Sequence, residues 1–310
     1  MHRLLIDTDP GVDDALAILM AFAHPNAKVE ALTVAAGNVG LTHTVANALR
    51  LVELVGANVP VHPGCASPLV LPAEDAAFVH GNDGFGDAGL RAPLLAPSAE
   101  HASLAMLRLA RELSGELTFV MLGPLTNLAL ALRLDPTLPQ RVKRLVVMGG
   151  AVTGRGNTRR IPAEFNIAFD PEAAHIVFSN WPTFELLDWE ATMAHGFAFA
   201  EFARWLGAND ERARFYDRIS GKTREFMRRT RHPERWHAAD ALAMAVTLEP
   251  EHVTQWAERA VEVELIGHCT RGATVVDWDE RSARAPNARI ALAFAQARFE
   301  ALLRTALGAG

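Results

Sequence analysis

Asp7-Thr8-Asp9-Pro10-Gly11-Val12-Asp13-Asp14 places four carboxylates within eight residues, with no Lys or Arg among them. Acids this crowded repel one another, and a cation between them removes that cost. Carboxylate oxygens are hard ligands, so the ion expected is Ca²⁺ or Mg²⁺. Asp13 and Asp14 have an ordinary explanation as well, because acids at a helix N-terminus complement the macrodipole and cap free N–H groups. Asp7 and Asp9 do not. They follow a short apolar run, Leu4-Leu5-Ile6, that reads as a buried strand, and a Pro-Gly turn then leads into an apolar helix from Ala15 to Ala23. The acids therefore gather at the C-terminal end of a strand, where open α/β sheets bind ligands.

Other polar residues repeat this placement. Asn38 follows the strand-like run Val29 to Ala36, in Gly37-Asn38-Val39-Gly40. Gly123-Pro124-Leu125-Thr126-Asn127 follows Leu117 to Leu122, and Gly149-Gly150 follows Leu145 to Met148. Glycines at such turns let a ligand approach the backbone closely. The segment Pro63 to Pro97 has no clear period and contains His80-Gly81-Asn82-Asp83-Gly84-Phe85-Gly86-Asp87, which reads as an active-site loop. Glu164 and Asn166 alternate with Phe165 and Ile167, so they are expected to share one face of an extended segment. Asp170-Pro171 reads as a helix N-cap and first helical residue. Asp240 stands at the mouth of the apolar helix Ala241 to Val246, as Asp14 does at its own.

The elements that must position these residues alternate along the chain. Helices are expected over Thr42 to Val55, Ala99 to Leu113 and Gln296 to Ala306, and helical segments from Ala194 to Arg231. Short strands are expected at Val59 to His62 and Thr183 to Leu187, with strand-like runs at Ala260 to Ile266, Ala273 to Val276 and Ala288 to Ala293. Strand, helix, strand in this order predicts one α/β domain over residues 1–310, Rossmann-like, with a mostly parallel central sheet flanked by helices. No linker or internal repeat divides it. No G-x-G-x-x-G follows a strand and no P-loop occurs, so dinucleotide and P-loop chemistry is not indicated. The formal charge is −6, and the basic residues from Arg224 to Arg235 read as a solvated helix face, so no nucleic-acid partner is expected. Cys65 and Cys269 make neither a metal spacing nor a disulfide framework. The N-terminus has no signal-peptide pattern and no apolar run reaches transmembrane length, so a soluble cytoplasmic protein with no membrane partner is expected.

Taken in order, these blocks resemble the nucleoside hydrolases, the inosine-uridine preferring nucleoside N-ribohydrolase family. Asp7-Thr8-Asp9-Pro10-Gly11-Val12-Asp13-Asp14-Ala15 is similar to its N-terminal signature. Ala36-Gly37-Asn38, His80-Gly81, Gly123-Pro124-Leu125-Thr126-Asn127-Leu128-Ala129 and Val147-Met148-Gly149-Gly150 resemble its turns. Ala163-Glu164-Phe165-Asn166 with Asp170-Pro171-Glu172-Ala173-Ala174 resembles its ribose-binding stretch, and Asp240 its late Asp.

The resemblance implies Ca²⁺-dependent hydrolysis of the N-glycosidic bond of ribonucleosides. Asp9, Asp14, Asp240 and the carbonyl of Leu122 would bind the ion, and Asp9 would take the proton from a water at the ion. Asp13, Asn157, Glu164 and Asn166 would hold the ribose hydroxyls, with Asn38 and Met148 nearby and His80 lining the base pocket. Asp7 would be a supporting acid. A homo-oligomer, dimer or tetramer, is also implied. The chain departs from the family immediately before the late Asp. Many members carry a His there that donates to the leaving base, and some purine-specific members a stacking Trp, whereas this chain has Ala239. His237 and Trp236 are the nearby residues that could replace the donor. Two other readings keep the site: hydrolysis of another N-riboside or nucleotide derivative, and a non-catalytic protein that binds ribosides. An aspartate-nucleophile phosphatase would use Asp7-Thr8-Asp9 but leave Asp13, Asp14, Glu164 and Asn166 without a task.

Overall fold

The computed structural model describes residues 1–72, 74–230 and 234–309. The first half of the chain runs β1 (His2–Thr8), α1 (Val12–Ala23), β2 (Ala27–Val34), α2 (Leu41–Leu54), β3 (Val61–Pro63), α3 (Ala77–His80), α4 (Ala102–Glu112), β4 (Leu117–Met121), α5 (Thr126–Leu134) and β5 (Arg144–Met148). The second half continues with α6 (Phe165–Phe169), α7 (Pro171–Asn180), β6 (Phe184–Leu187), α8 (Trp189–Ala194), β7 (Phe197–Ala198), α9 (Phe199–Leu206), α10 (Glu211–Thr230), β8 (Arg235–Trp236), α11 (Ala239–Leu248), β9 (Val253–Arg259), β10 (Val261–Val263), β11 (Thr274–Val276), β12 (Ala288–Phe294) and α12 (Gln296–Ala306). Eight strands form the central sheet in the order β3-β2-β1-β4-β5-β6-β12-β9, parallel except for β9 against β12. Leu4, Leu5 and Ile6 are wholly buried, as strands covered on both faces require. One core, with α1, α2, α11 and α12, covers one face; a second, with α4, α5 and α7, covers the other.

This topology fixes where a ligand can sit. From β1 the chain moves outward to β2 and β3, then returns to β4 on the other side of β1. The turns after β1 and β4 diverge there and leave a crevice at the strands' C-terminal ends. Asp9, Asn38, Leu122 and Met148 all occur at such ends.

Two expectations are corrected. Glu164 to Asn166 is not extended: Glu164 is the N-cap of the short helix α6, its carboxylate accepting from the N–H groups of Asn166 and Ile167. A carboxylate that can cap takes up free helix N–H groups, which outweighs the strand-like alternation. The segment from Ala194 onward is not continuously helical, because β7 and β8 form a two-stranded antiparallel ladder; Arg231 lies outside the described residues. The sheet also gains an edge strand, β9, whose half-exposed residues lack the apolar signature of the central strands.

Candidate active site

The turn after β1 builds the floor of the site. Asp14, in the first turn of α1, accepts from the Thr8 hydroxyl (2.5 Å), Gly11 N (3.0 Å) and Asn38 Nδ2 (3.0 Å). α11 packs along α1 and delivers Asp240 from the far end of the sequence. Carboxylate oxygens of Asp13, Asp14 and Asp240 lie within 4.8 Å of one another. Asp9 stands outside that group of three, buried beside it. Its Oδ2 accepts from Asn38 N at 2.6 Å. A Cβ at Gly37 would come within 2.1 Å of Asp9 Oδ2 and one at Gly123 within 2.4 Å of Oδ1, so both turns need glycine to admit this carboxylate. Asp7 points elsewhere, accepting from Asn127 Nδ2 at 2.9 Å.

The electrostatics follow from burial. Desolvation pushes the Asp13 and Asp14 carboxyls up to about 6, and the charge of Asp13 adds to the shift on Asp14. Burial, then the charge of Asp14, drives Asp9 well above the usual range; burial and the charges of Asp13, Asp14 and Asp9 do the same to Asp240. Among the described residues, no Lys or Arg side chain lines the cavity. Asp13 Oδ1 is buried and accepts no hydrogen bond among the described residues. Such a donor set, all oxygen and short of positive charge, fits a hard divalent cation.

The wall comes from β4, β5 and α6. Asn166 Nδ2 donates to the carbonyls of Leu122 (2.6 Å) and Met148 (3.2 Å), tying two strand ends together. Glu164 also accepts from Gly150 N at 3.0 Å, and burial raises its carboxyl to about 7. Asn157 accepts from Phe165 N at 2.8 Å. Asp13, Asn38, Leu122, Met148, Asn157, Glu164, Asn166 and Asp240 line one cavity, of about 830 Å³ of empty space including its mouth.

The opposite character appears around α3 and α10. His80 Nδ1 accepts from Val12 N at 3.1 Å, which places the ring proton on Nε2, and burial lowers its pKa to about 4. His80 is therefore a neutral donor at the cavity wall. Phe78 and Phe226 meet edge to face at 5.7 Å between ring centres. Phe165, Trp189 and Met227 add further apolar lining. Trp236 and His237 both border the cavity, but they arrive from β8 and the turn after it, not from a helix. The Trp236 ring stacks on Phe202 at 5.4 Å, and its Nε1 finds no partner among the described residues. His237 turns Nε2 toward Gly196, where a Cβ would come within 2.4 Å. Ala239 lines the cavity beside Asp240 with only a methyl group.

The sequence profile of the inosine-uridine preferring nucleoside hydrolases matches residues 4–301. The chain belongs to that family. As a nucleoside hydrolase it is an N-glycosyl hydrolase. It is 37% identical over 291 residues to the non-specific ribonucleoside hydrolase RihC of Salmonella enteritidis PT4, covering 94% of this chain and 92% of that one. The solved inosine-guanosine nucleoside hydrolase superposes with a TM-score of 0.92 at 33% identity over 99% of both chains. The purine-preferring ribonucleoside hydrolase of Gardnerella vaginalis superposes with a TM-score of 0.90 at 28% identity over 98% of both. Among the described residues of this nucleoside hydrolase, no helix is long and apolar enough to cross a membrane. Sequence reasoning missed Phe78, Trp189, Thr223, Phe226 and Met227 as lining residues. Trp189 had a signal, since it follows directly on the end of β6; the residues of α10 had none, because only the tertiary fold brings that helix to the cavity.

Proposed function

We infer that this nucleoside hydrolase cleaves the N-glycosidic bond of ribonucleosides to free base and ribose, with Ca²⁺ as its ion. One observation carries the reading: Asp13, Asp14 and Asp240 meet within 4.8 Å in the cavity that Glu164, Asn166 and Asn38 also line. Asp9, Asp14, Asp240 and the Leu122 carbonyl would hold the ion, and Ca²⁺ suits a set made wholly of carboxylate and carbonyl oxygens. When bound, the ion would supply the Lewis acidity that lowers the pKa of the attacking water. Asp9 accepts the proton of that water as its oxygen bonds to C1′. Asp13, Asn157, Glu164 and Asn166 hold the ribose hydroxyls, with Asn38 and Met148 beside the ring. As the C1′–N bond breaks, its electron pair leaves with the base and positive charge spreads onto the sugar. Carboxylate and amide oxygens around the ring stabilise that charge, and their fixed orientation contributes without reorganisation.

The base leaves into the aromatic half of the cavity. His80 offers it an N–H, and His237 and Trp236 are the candidate donors for its departure. The names of the relatives support a ribonucleoside but differ in the base, so none of their preferences carries over. Ala239 favours a second reading, another N-riboside whose leaving group departs without a proton from the position before Asp240.

Both readings are tested by assaying ribose release from natural nucleosides and from p-nitrophenyl riboside. Turnover of the activated riboside, an O-riboside, lost on chelation and in Asp9→Ala, supports riboside hydrolysis at this site. Turnover of natural nucleosides then selects the first reading. No turnover of any riboside by the Ca²⁺-loaded protein overturns both and leaves a binding protein.

A further inference from the structure

The loop from Ala151 to Pro162 carries Asn157 to the cavity and is gripped from outside by the start of α8. Asp188, the N-cap of α8, accepts from Val152 N at 2.9 Å, and Trp278 Nε1 donates to the Val152 carbonyl at 2.9 Å. Glu190, half-buried, holds the next residues. Its Oε1 accepts from Thr153 N (2.9 Å) and Arg155 N (3.0 Å), and its Oε2 from the Thr153 hydroxyl (2.6 Å). Beyond Arg155 the chain has little freedom. Gly156 N donates to the Ile161 carbonyl at 2.9 Å, and a Cβ on Gly156 would meet the Ala163 carbonyl oxygen at 2.1 Å. Asn157 N donates to the same Ala163 carbonyl at 3.2 Å. Glu190 is thus two residues' reach from Asn157, through a segment that transmits position. Between the two acids of α8, Trp189 lines the cavity itself.

We propose that Glu190 is a positioning residue for the ribose side of the site, acting through Asn157. The proposal rests on Asn157 as a ribose contact. A charged acceptor of three hydrogen bonds fixes an otherwise exposed loop before substrate arrives, so less ordering is left to binding. Glu190 touches neither the acids of the floor nor, in this role, the substrate. Its loss therefore weakens substrate binding without moving the ion or the chemical step.

The test compares wild type, Glu190→Ala, Glu190→Gln, Asn157→Ala and the Asn157→Ala/Glu190→Ala double variant. Readouts are kcat and KM for a nucleoside, Ca²⁺ affinity by titration calorimetry, and amide hydrogen exchange over residues 152–158. Glu190→Ala is expected to raise KM about tenfold, the scale of one charge-assisted hydrogen bond, with Ca²⁺ affinity unchanged and faster exchange at Thr153 and Arg155. Glu190→Gln is expected to restore KM, since its carbonyl oxygen can accept both N–H groups and its amide can donate to the Thr153 hydroxyl. The double variant should bind no worse than Asn157→Ala alone. A wild-type KM in Glu190→Ala, a Gln variant as poor as Ala, or fully multiplicative effects would overturn the proposal. A wild-type KM in Asn157→Ala overturns it too while leaving nucleoside hydrolysis intact. Should no riboside be turned over, the functional reading falls separately, and wild-type exchange at Thr153 and Arg155 in Glu190→Ala would still refute the clamp.

Discussion

The two halves of the cavity are built on different principles. The half proposed for ribose and metal is made of strand ends and the turns that follow them, with Asp9, Asp14 and Glu164 held by backbone, hydroxyl or amide partners. Asp14 alone collects bonds from Thr8, Gly11 and Asn38. The base half is made of aromatic side chains on α3, α6, α8 and α10, with His80 among its few polar groups. Turns attached to a sheet are rigid and can place charge to within a fraction of an ångström; helix faces meeting across a gap supply area and shape. On the proposed function, one half would run a fixed chemistry while the other would accept different leaving groups. Asp9→Ala should remove that chemistry for every base alike, lowering kcat/KM by roughly 10³-fold or more. Steady-state rates on several nucleosides check this, and a loss confined to some bases would break the division.

The next largest effect separates the halves by charge. Asp13 and Asp14 are raised to about 6 and Glu164 to about 7 by burial. Each therefore holds its proton more tightly folded than unfolded. Their stabilising contribution is complete below the ordinary carboxylate pKa and is lost as pH rises through about 6 to 7. Metal-free protein should be more stable near pH 5 than near pH 7.5, by roughly a few kcal/mol, the reverse of common acid denaturation. Saturating Ca²⁺ should offset the loss, by about 2.7 kcal/mol at a hundredfold excess over Kd. Thermal midpoints across pH, with and without Ca²⁺, measure both. Asp240→Asn should flatten the pH dependence and abolish the Ca²⁺ response.

The same division governs what the sequence made legible. Asp7 to Asp14 carries its strand, turn and helix start in one stretch, so its placement could be read locally. Asn38, Gly123 and Gly149 followed the same rule. Glu164 was singled out as a site residue but expected on an extended segment, because periodicity does not distinguish a capping acid from a strand residue. Phe78 and Phe226 lie nearly half the chain apart and meet only after α10 has packed against α3. No local pattern encodes such a pair. The grip of Glu190 on Thr153 and Arg155 is likewise tertiary.

Phe226→Ala tests the aromatic half directly. Losing one stacking surface should raise KM for nucleosides about tenfold, within the range of base–aromatic stacking, while Ca²⁺ affinity stays at the wild-type value. Calorimetry beside steady-state kinetics resolves the two. A parallel loss of Ca²⁺ binding would mean that the halves are mechanically coupled.

The smallest effect concerns departure of the base, where Ala239 leaves the position before Asp240 without a donor. His237 can replace it only through a ring whose Nε2 faces Gly196. Trp236 can do so only through an indole stacked on Phe202. Packing of this kind holds a side chain against the core and limits how far it can follow a leaving group. His237→Ala should therefore lower kcat on a natural nucleoside by no more than about fivefold, the worth of one neutral hydrogen bond, and leave p-nitrophenyl riboside unaffected. Trp236→Phe keeps the ring on Phe202 and should change neither. Leaving-group dependence, measured as the ratio of the two rates, is the deciding quantity. A ratio unchanged in both variants places the burden of departure on the Nε2–H of His80 and on the apolar lining, whereas a loss of a hundredfold or more in His237→Ala would show that the ring turns from Gly196 toward the base during the reaction.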